Sequence, residues 1–280
     1  MFKRLLAITA ASALLLAACG DKTTEDTNDH EATPVKVAFE LGSKPITYVD
    51  EKGEPAGYDV DVMKLVDEKL EDYTFEFVGT TSDDLLIGVE QGKFQVGVKN
   101  AFYTDERAKK YIYPKNFIGL SSAGLVLQKK NEAITSLADF AQQELTLAPI
   151  AANNAQYTVI DEYNQENPDK PVKLKAGEDF GVDVVQWVNE GRVDGGVMIQ
   201  GMFDKQVKDE KGPYHKFKDD VIYQEFAVIK TWPLFNKKEQ AFADAYDKAV
   251  EELREEGKLA ELTEKHYGRN LFDVLDEVER

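Results

Sequence analysis

Hydrophobic and polar positions alternate with a period of two over VKVAFE (residues 35–40) and again over YTFEFVG (73–79), which predicts two strands. Between them Val62, Leu65, Val66 and Leu70 recur at helical spacing, so residues 59–70 read as an amphipathic helix. The preceding passage, ITYVDEKGEPAGYDV, reads as hairpin-like, turning at Glu51 to Gly53. A second helix is expected over SDDLLIGVEQGK, capped by Ser82, with acids in its first turn and Gly92 at its end. Val96 and Val98 then enter a third strand. Strand, helix, strand, helix, strand predicts a parallel sheet covered by helices.

The pattern repeats further along. FIGLSSAGLVLQKKN is apolar with small residues and reads as an extended crossing. A short helix follows over ITSLADFAQQ, capped by Thr135 or Ser136. LTLAPI predicts a strand, then comes a helix ending before Pro168, a short strand at VKLKAG, a helix over EDFGVDVVQWVNEGR and a strand at VDGGVMI. Trp187 has apolar helical neighbours and reads as core. This second series, about 125–222, forms its own lobe in this reading, and VIYQEFAVIK crosses back to the first. Phe242, Tyr246, Ala249, Val250 and Leu253 then make one helical face, Gly257 ends it, and Leu259 and Leu262 begin a shorter helix.

One turn carries candidate chemistry. In VGVKNAFYTDERAKKYIY, Thr104 is placed to cap a helix whose first turn holds Asp105 and Glu106, acids that suit the helix dipole. Arg107 is a cation where that dipole is unfavourable, which fits a guanidinium fork facing a bound carboxylate; pairing with a surface acid is the plainer alternative.

Charge and the first residues change the picture. A formal charge of −18 over 280 residues argues against nucleic acid and against direct adhesion to anionic lipid. Lys3 and Arg4 precede a short apolar stretch from Leu5 to Ala18, the pattern of a secretory signal rather than a membrane span. Cys19 is the single cysteine, so no disulfide forms within the chain. DKTTEDTNDHEAT is polar and aperiodic and reads as a tether holding a solvated His30. His215 and His266 stand apart from any metal set and read as surface residues. No metal site and no cofactor are expected.

LAAC (16–19) followed by Gly20 resembles the bacterial lipoprotein signal, which implies a lipid-modified Cys19, palmitate included, as the mature N-terminus. EPAGYDVDVMKLVDEKL, LLIGVEQGKFQVGV, YTDERAKKYIYP, WVNEGRVDG and AVEELREEGKLAELTEKHYG together resemble the extracellular solute-binding proteins of polar amino-acid ABC transporters, of the family 3 type. The resemblance implies an α/β fold of two lobes joined by two hinge strands, the type II periplasmic-binding-protein arrangement, with ligand between the lobes. Its implied divisions are a signal at 1–18, a tether at 19–33, a first lobe at 34–124 and 223–280, and a second lobe at 125–222.

By position, Arg107 matches the family's carboxylate-gripping arginine, Asn100 and Phe102 match cleft positions before it, and Glu40 and Ser43 match the first loop. The Gly-Thr pair usual after the first strand of the second lobe is replaced by PIAANNAQY, where Asn153 and Asn154 either serve an anion or cap the next helix. The usual ammonium-pairing aspartate is missing: VDGGVMIQG offers Ile199 and Gln200, so either Glu40 substitutes or the ligand is not an ordinary α-amino acid. The form NAFYTDER resembles the cystine- and sulfur-compound-binding members. The implied protein is a monomeric, lipid-anchored receptor on the outer face of a Gram-positive-type membrane, handing an amino acid or related solute, cystine among them, to an ABC permease. An enzyme on the same fold, dehydratase-like, and a sensing lipoprotein are the alternatives; the chain shows no nucleophile–base pair for the first.

Overall fold

A computed structural model of the chain describes residues 32–152, 154–177 and 183–273, and the part from residue 32 onward belongs to one compact unit. The expected signal, Cys19, the tether up to residue 31, and Asn153 lie outside the described residues. The first half runs β1 (Thr33–Glu40), β2 (Tyr48–Val49), β3 (Pro55–Ala56), α1 (Tyr58–Lys69), β4 (Tyr73–Thr80), α2 (Ser82–Gln91), β5 (Val96–Ala101), α3 (Asp105–Lys110), β6 (Tyr111–Ile112) and β7 (Gly119–Gln128). Then come α4 (Leu137–Gln142), β8 (Ile150–Ala151), α5 (Ala155–Glu166), β9 (Ala176–Gly177), α6 (Val184–Asn189), β10 (Gly195–Ile199) and α7 (Gln200–Phe203). The chain returns through β11 (Val221–Asn236), α8 (Gln240–Glu255) and α9 (Lys258–Tyr267).

The main sheet has the order β10-β7-β11-β5-β1-β4, with β6 joined at β11. β1 pairs in parallel with β4 and β5, as the alternating pattern predicts. Because side chains on a strand alternate faces, Val35, Val37 and Phe39 meet Val62, Met63 and Val66 of α1 and Phe242, Tyr246 and Val250 of α8. Ala38 points the other way, to Leu85 and Val89 of α2. Helices thus cover both faces at the middle of this strand, while Lys36 stays exposed. Each such fully buried side chain is worth roughly 1.5–3 kcal/mol of burial.

A second core forms around β7 by the same logic. Leu125 and Leu127 pack with Phe140, Ile150 and Ile160, while Val126 packs on the opposite face with Val185, Val188 and Met198. That two-sided burial explains the unbroken apolar run in GLVLQ. β7 and β11 are antiparallel partners, and both reach from one core toward the other. The return crossing expected over 221–230 is longer, because the apolar WPLF continues β11 into pairing with β5. Pro233, which has no N–H to donate, lies at a register shift in that pairing.

Other boundaries also move. The cap of α2 is Thr81, whose hydroxyl accepts the Asp84 N–H, and not Ser82, whose Oγ is taken by Lys99. Of Thr135 and Ser136, the latter caps α4. The strands expected at LTLAPI and VKLKAG reduce to β8 and β9, with isolated bridges at Thr146 and Leu147; Pro149 and Pro171 remove ladder donors there. Of the helix expected over 178–192, the described part is α6, and 178–182 lie outside the described residues.

Gly57 ties the first core to the loop before it. Its φ is +116°, and a Cβ there would stand 2.3 Å from the Ile46 carbonyl oxygen. Glycine alone lets α1 start this close to the Ser43–Thr47 loop.

Candidate functional site

Arg107 sits in the first turns of α3, where Thr104 Oγ1 accepts its backbone N–H at 3.2 Å, the cap expected from the sequence. Its Nη1 donates to the Phe102 carbonyl at 3.1 Å, and Tyr113 donates its hydroxyl to the same oxygen at 2.8 Å. One carbonyl therefore holds both the guanidinium and the ring beside it. Burial pushes the Tyr113 hydroxyl up to about 12 against the opposing pull of Arg107, so it stays a donor. Among the described residues no carboxylate lies within ion-pair distance of Arg107. The surface ion pair weighed as the alternative is therefore not formed, although Arg107 also lines a second hollow together with Asp83, Glu90 and Glu106.

The guanidinium lines a chamber of about 300 Å³, at the small end of ligand pockets. One wall comes from the loop after β1 (Ser43, Lys44) and from β5 and its turn (Lys99, Asn100, Phe102, Arg107). The other comes from Asn154, Ile199 and the α7 region, including Gly201 and Lys205. Ser43, Asn100, Phe102, Arg107 and Asn154 thus converge, although 111 positions separate the first from the last. The facing loops approach closely: Lys205 Nζ donates to the Gly42 carbonyl at 2.9 Å. A larger space of about 620 Å³ adjoins it through Lys44, Ile46, Ile199, Gly201 and Lys205.

Two expected residues lie elsewhere. Glu40 lines neither space; its carboxylate stands 3.6 Å from Lys99 Nζ. Gln200 lines the larger space, where its Oε1 accepts from Arg269 at 3.2 Å. Asn154 caps α5, its Oδ1 accepting the Gln156 N–H, and the residue also lines the first chamber.

Asn100 has a φ of +55°, a left-handed conformation that asparagine tolerates better than most residues. Its N–H is held by Asp59 Oδ2 at 3.0 Å and its Nδ2 by Ser121 Oγ at 3.3 Å. Asp59 is fully buried, its Oδ1 has no hydrogen-bond partner among the described residues, and burial lifts its carboxyl to about 7 against the pull of the Asn100 N–H. Burial likewise lowers the Lys99 ammonium, with Glu40 opposing and Arg107 adding to the effect.

Sequence reasoning missed Lys44, Lys99, Asp59 and Lys205. Asp59 had a usable signal: it shares helical phase with Val62, Met63 and Val66. His266 also departs from expectation. Its Nε2 is 2.9 Å from Asp61 Oδ2, its ring meets Tyr58 edge-on, and its side chain is only 9% exposed. Burial raises the Asp61 carboxyl, but hydrogen bonds from His266 and Lys265 outweigh it and bring it to about 2. Among the described residues no His, Cys, Asp and Glu group is arranged to hold a metal, and no helix is long and apolar enough to cross a membrane.

Comparison with known proteins agrees over almost the whole described body. Residues 35–269 match the model of the bacterial extracellular solute-binding proteins, family 3. The chain is 29% identical to the L-cystine-binding protein TcyJ of Bacillus subtilis, over 95% of each chain. It is 27% identical to the probable amino-acid-binding protein YxeM of the same organism, over 97% of each. Among solved structures, the probable amino-acid ABC transporter extracellular-binding protein ytmK of Bacillus subtilis superposes with a TM-score of 0.67 at 23% identity, over 85% of this chain and 99% of that one. The L-cystine solute receptor of Neisseria gonorrhoeae, in its unliganded open conformation, gives 0.60 at 22% identity, over 86% and 95%. At those identities the structures show the fold, which is the two-lobed α/β arrangement.

Proposed function

The chain belongs to the bacterial extracellular solute-binding proteins, family 3, and on that premise we propose that it captures an amino acid or related small polar solute, cystine among the candidates, and delivers it to an ABC permease. The observation that carries this reading is the convergence on one chamber of Ser43, Asn100, Phe102, Asn154 and Arg107, the last in no ion pair among the described residues. A solute carboxylate entering there loses water, and a planar fork already fixed by a backbone carbonyl replaces that water with two parallel hydrogen bonds. The receptor works as a lipid-anchored protein on the outer face of the membrane, tethered through Cys19; the LAAC sequence supports this part of the reading.

Calorimetric titration of amino acids and cystine tests the proposal. Arg107→Ala is expected to cost about 2–5 kcal/mol of binding, the range for breaking a hydrogen-bonded charge pair. Arg107→Lys keeps charge but loses the fork and should also weaken binding. Wild type should reject an analogue whose carboxylate is an amide, and Arg107→Ala should bind acid and amide alike. A mutant that keeps full preference for the acid refutes the role given to Arg107.

A further inference from the structure

The first chamber is strongly positive in a protein that is strongly negative. Lys44, Lys99, Arg107 and Lys205 line it, and no aspartate or glutamate does among the described residues. Glu40 offsets Lys99 from outside the lining. Among the described residues the other three cations have only neutral partners: Arg107 the Phe102 carbonyl, Lys205 the Gly42 carbonyl, and Lys44 the Tyr48 ring at 5.4 Å. With acids exceeding bases by 52 to 34 in the whole chain, composition does not account for such a cluster.

A plain zwitterion held within this chamber alone fits its charges poorly. Its carboxylate answers one unpaired cation, while its ammonium lies among the others, a repulsion that grows as the cleft closes and water leaves. A second acidic group on the solute removes that conflict. Lys205 also comes from the wall opposite Arg107, so closure brings a cation toward the bound anion and strengthens the attraction. Resting on the capture reading above, we propose that the solute carries at least two acidic groups and is a net anion at neutral pH. Its class is a small dicarboxylic acid or an amino acid with an acidic side chain. The adjoining space of about 620 Å³ gives such a molecule room for its length, but Asp204 and Asp209 line it, so the acidic groups belong in the first chamber and any ammonium on the side of the second.

Matched pairs differing by one charge test this with the full chain and calorimetry. The probes are S-carboxymethylcysteine against its carbamoylmethyl amide, glutamate against glutamine, and cystine as a neutral reference. The acid is expected to bind at least about tenfold more tightly than its amide, with the gap shrinking at high salt. Lys44→Gln and Lys205→Gln should each narrow the acid-to-amide ratio several-fold, and a ratio that both variants leave unchanged would overturn the proposal. Amides or cystine binding as tightly as the acids, with Arg107→Ala still abolishing binding, would overturn the anion proposal and leave the capture reading standing. If no probe and no amino acid binds wild type, the capture reading itself fails.

Discussion

Asp59 offers a measurement whose size follows from the structure. Its carboxyl is fully buried, and burial lifts it from 3.8 to about 7. In the unfolded chain the group ionises near its ordinary value; in the folded chain it holds its proton until near neutrality. Folding is therefore favoured by this group at low pH, and that contribution is lost as pH rises from about 4 through about 7. The full span corresponds to about 4 kcal/mol at 1.36 kcal/mol per pKa unit. Between pH 5 and pH 8, where measurement is convenient, roughly 2–3 kcal/mol of it falls.

Asp59→Asn removes the titration and keeps an oxygen for the Asn100 N–H. Other titrating groups are common to both proteins and cancel in the difference. Urea unfolding of the two at pH 5, 6, 7 and 8 is the assay. The variant should gain on wild type by roughly 2–3 kcal/mol as pH rises across that window. Its amide nitrogen is left without a buried partner, which lowers its stability by the same amount at every pH and leaves the slope untouched. A difference that stays constant from pH 5 to pH 8 would refute the reasoning and mean that Asp59 is ionised throughout.

Two further outcomes are expected. Cys19→Ser should release the protein into the medium or leave its precursor uncleaved, as read by fractionation and mass; unchanged processing with membrane retention would contradict the anchor. A solute shown to bind should compact the protein in solution scattering and raise its Tm, with about 2.7 kcal/mol of added stability at a hundredfold excess over Kd. An unchanged scattering profile with a bound solute would argue against lobe closure.

What the sequence showed well are features set by local chemistry. Alternation in β1 and β4, the face of α8 and the Thr104 cap all appear as predicted, because each depends on residues within a turn or two of one another. Boundaries moved where the deciding contact is distant. Ser82 looks like a cap, but Lys99, 17 residues on, takes its hydroxyl, and the capping role falls to Thr81. His266 looked solvated because its partner Asp61 lies 205 residues away. Asp59 was passed over, and the apolar phase it shares with Val62, Met63 and Val66 is what buries it.

The site divides along the same line. Arg107 was recognisable because a cation after Thr-Asp-Glu opposes the dipole of its own helix, an anomaly visible within four residues. Lys44, Lys99 and Lys205 carry no such anomaly, since each is an ordinary lysine among ordinary neighbours. Their meaning arises only when the loop after β1, the end of β5 and the α7 region meet around one space. Net charge conceals the cluster, because the surplus of acids lies largely on outer surfaces such as the exposed face of α8, with Glu251, Glu252 and Glu255. Water screens those acids, whereas the chamber's cations face one another across a narrow gap. A total of −18 and a positive cleft are thus compatible. On the proposal made above, the local charge rather than the total selects the solute.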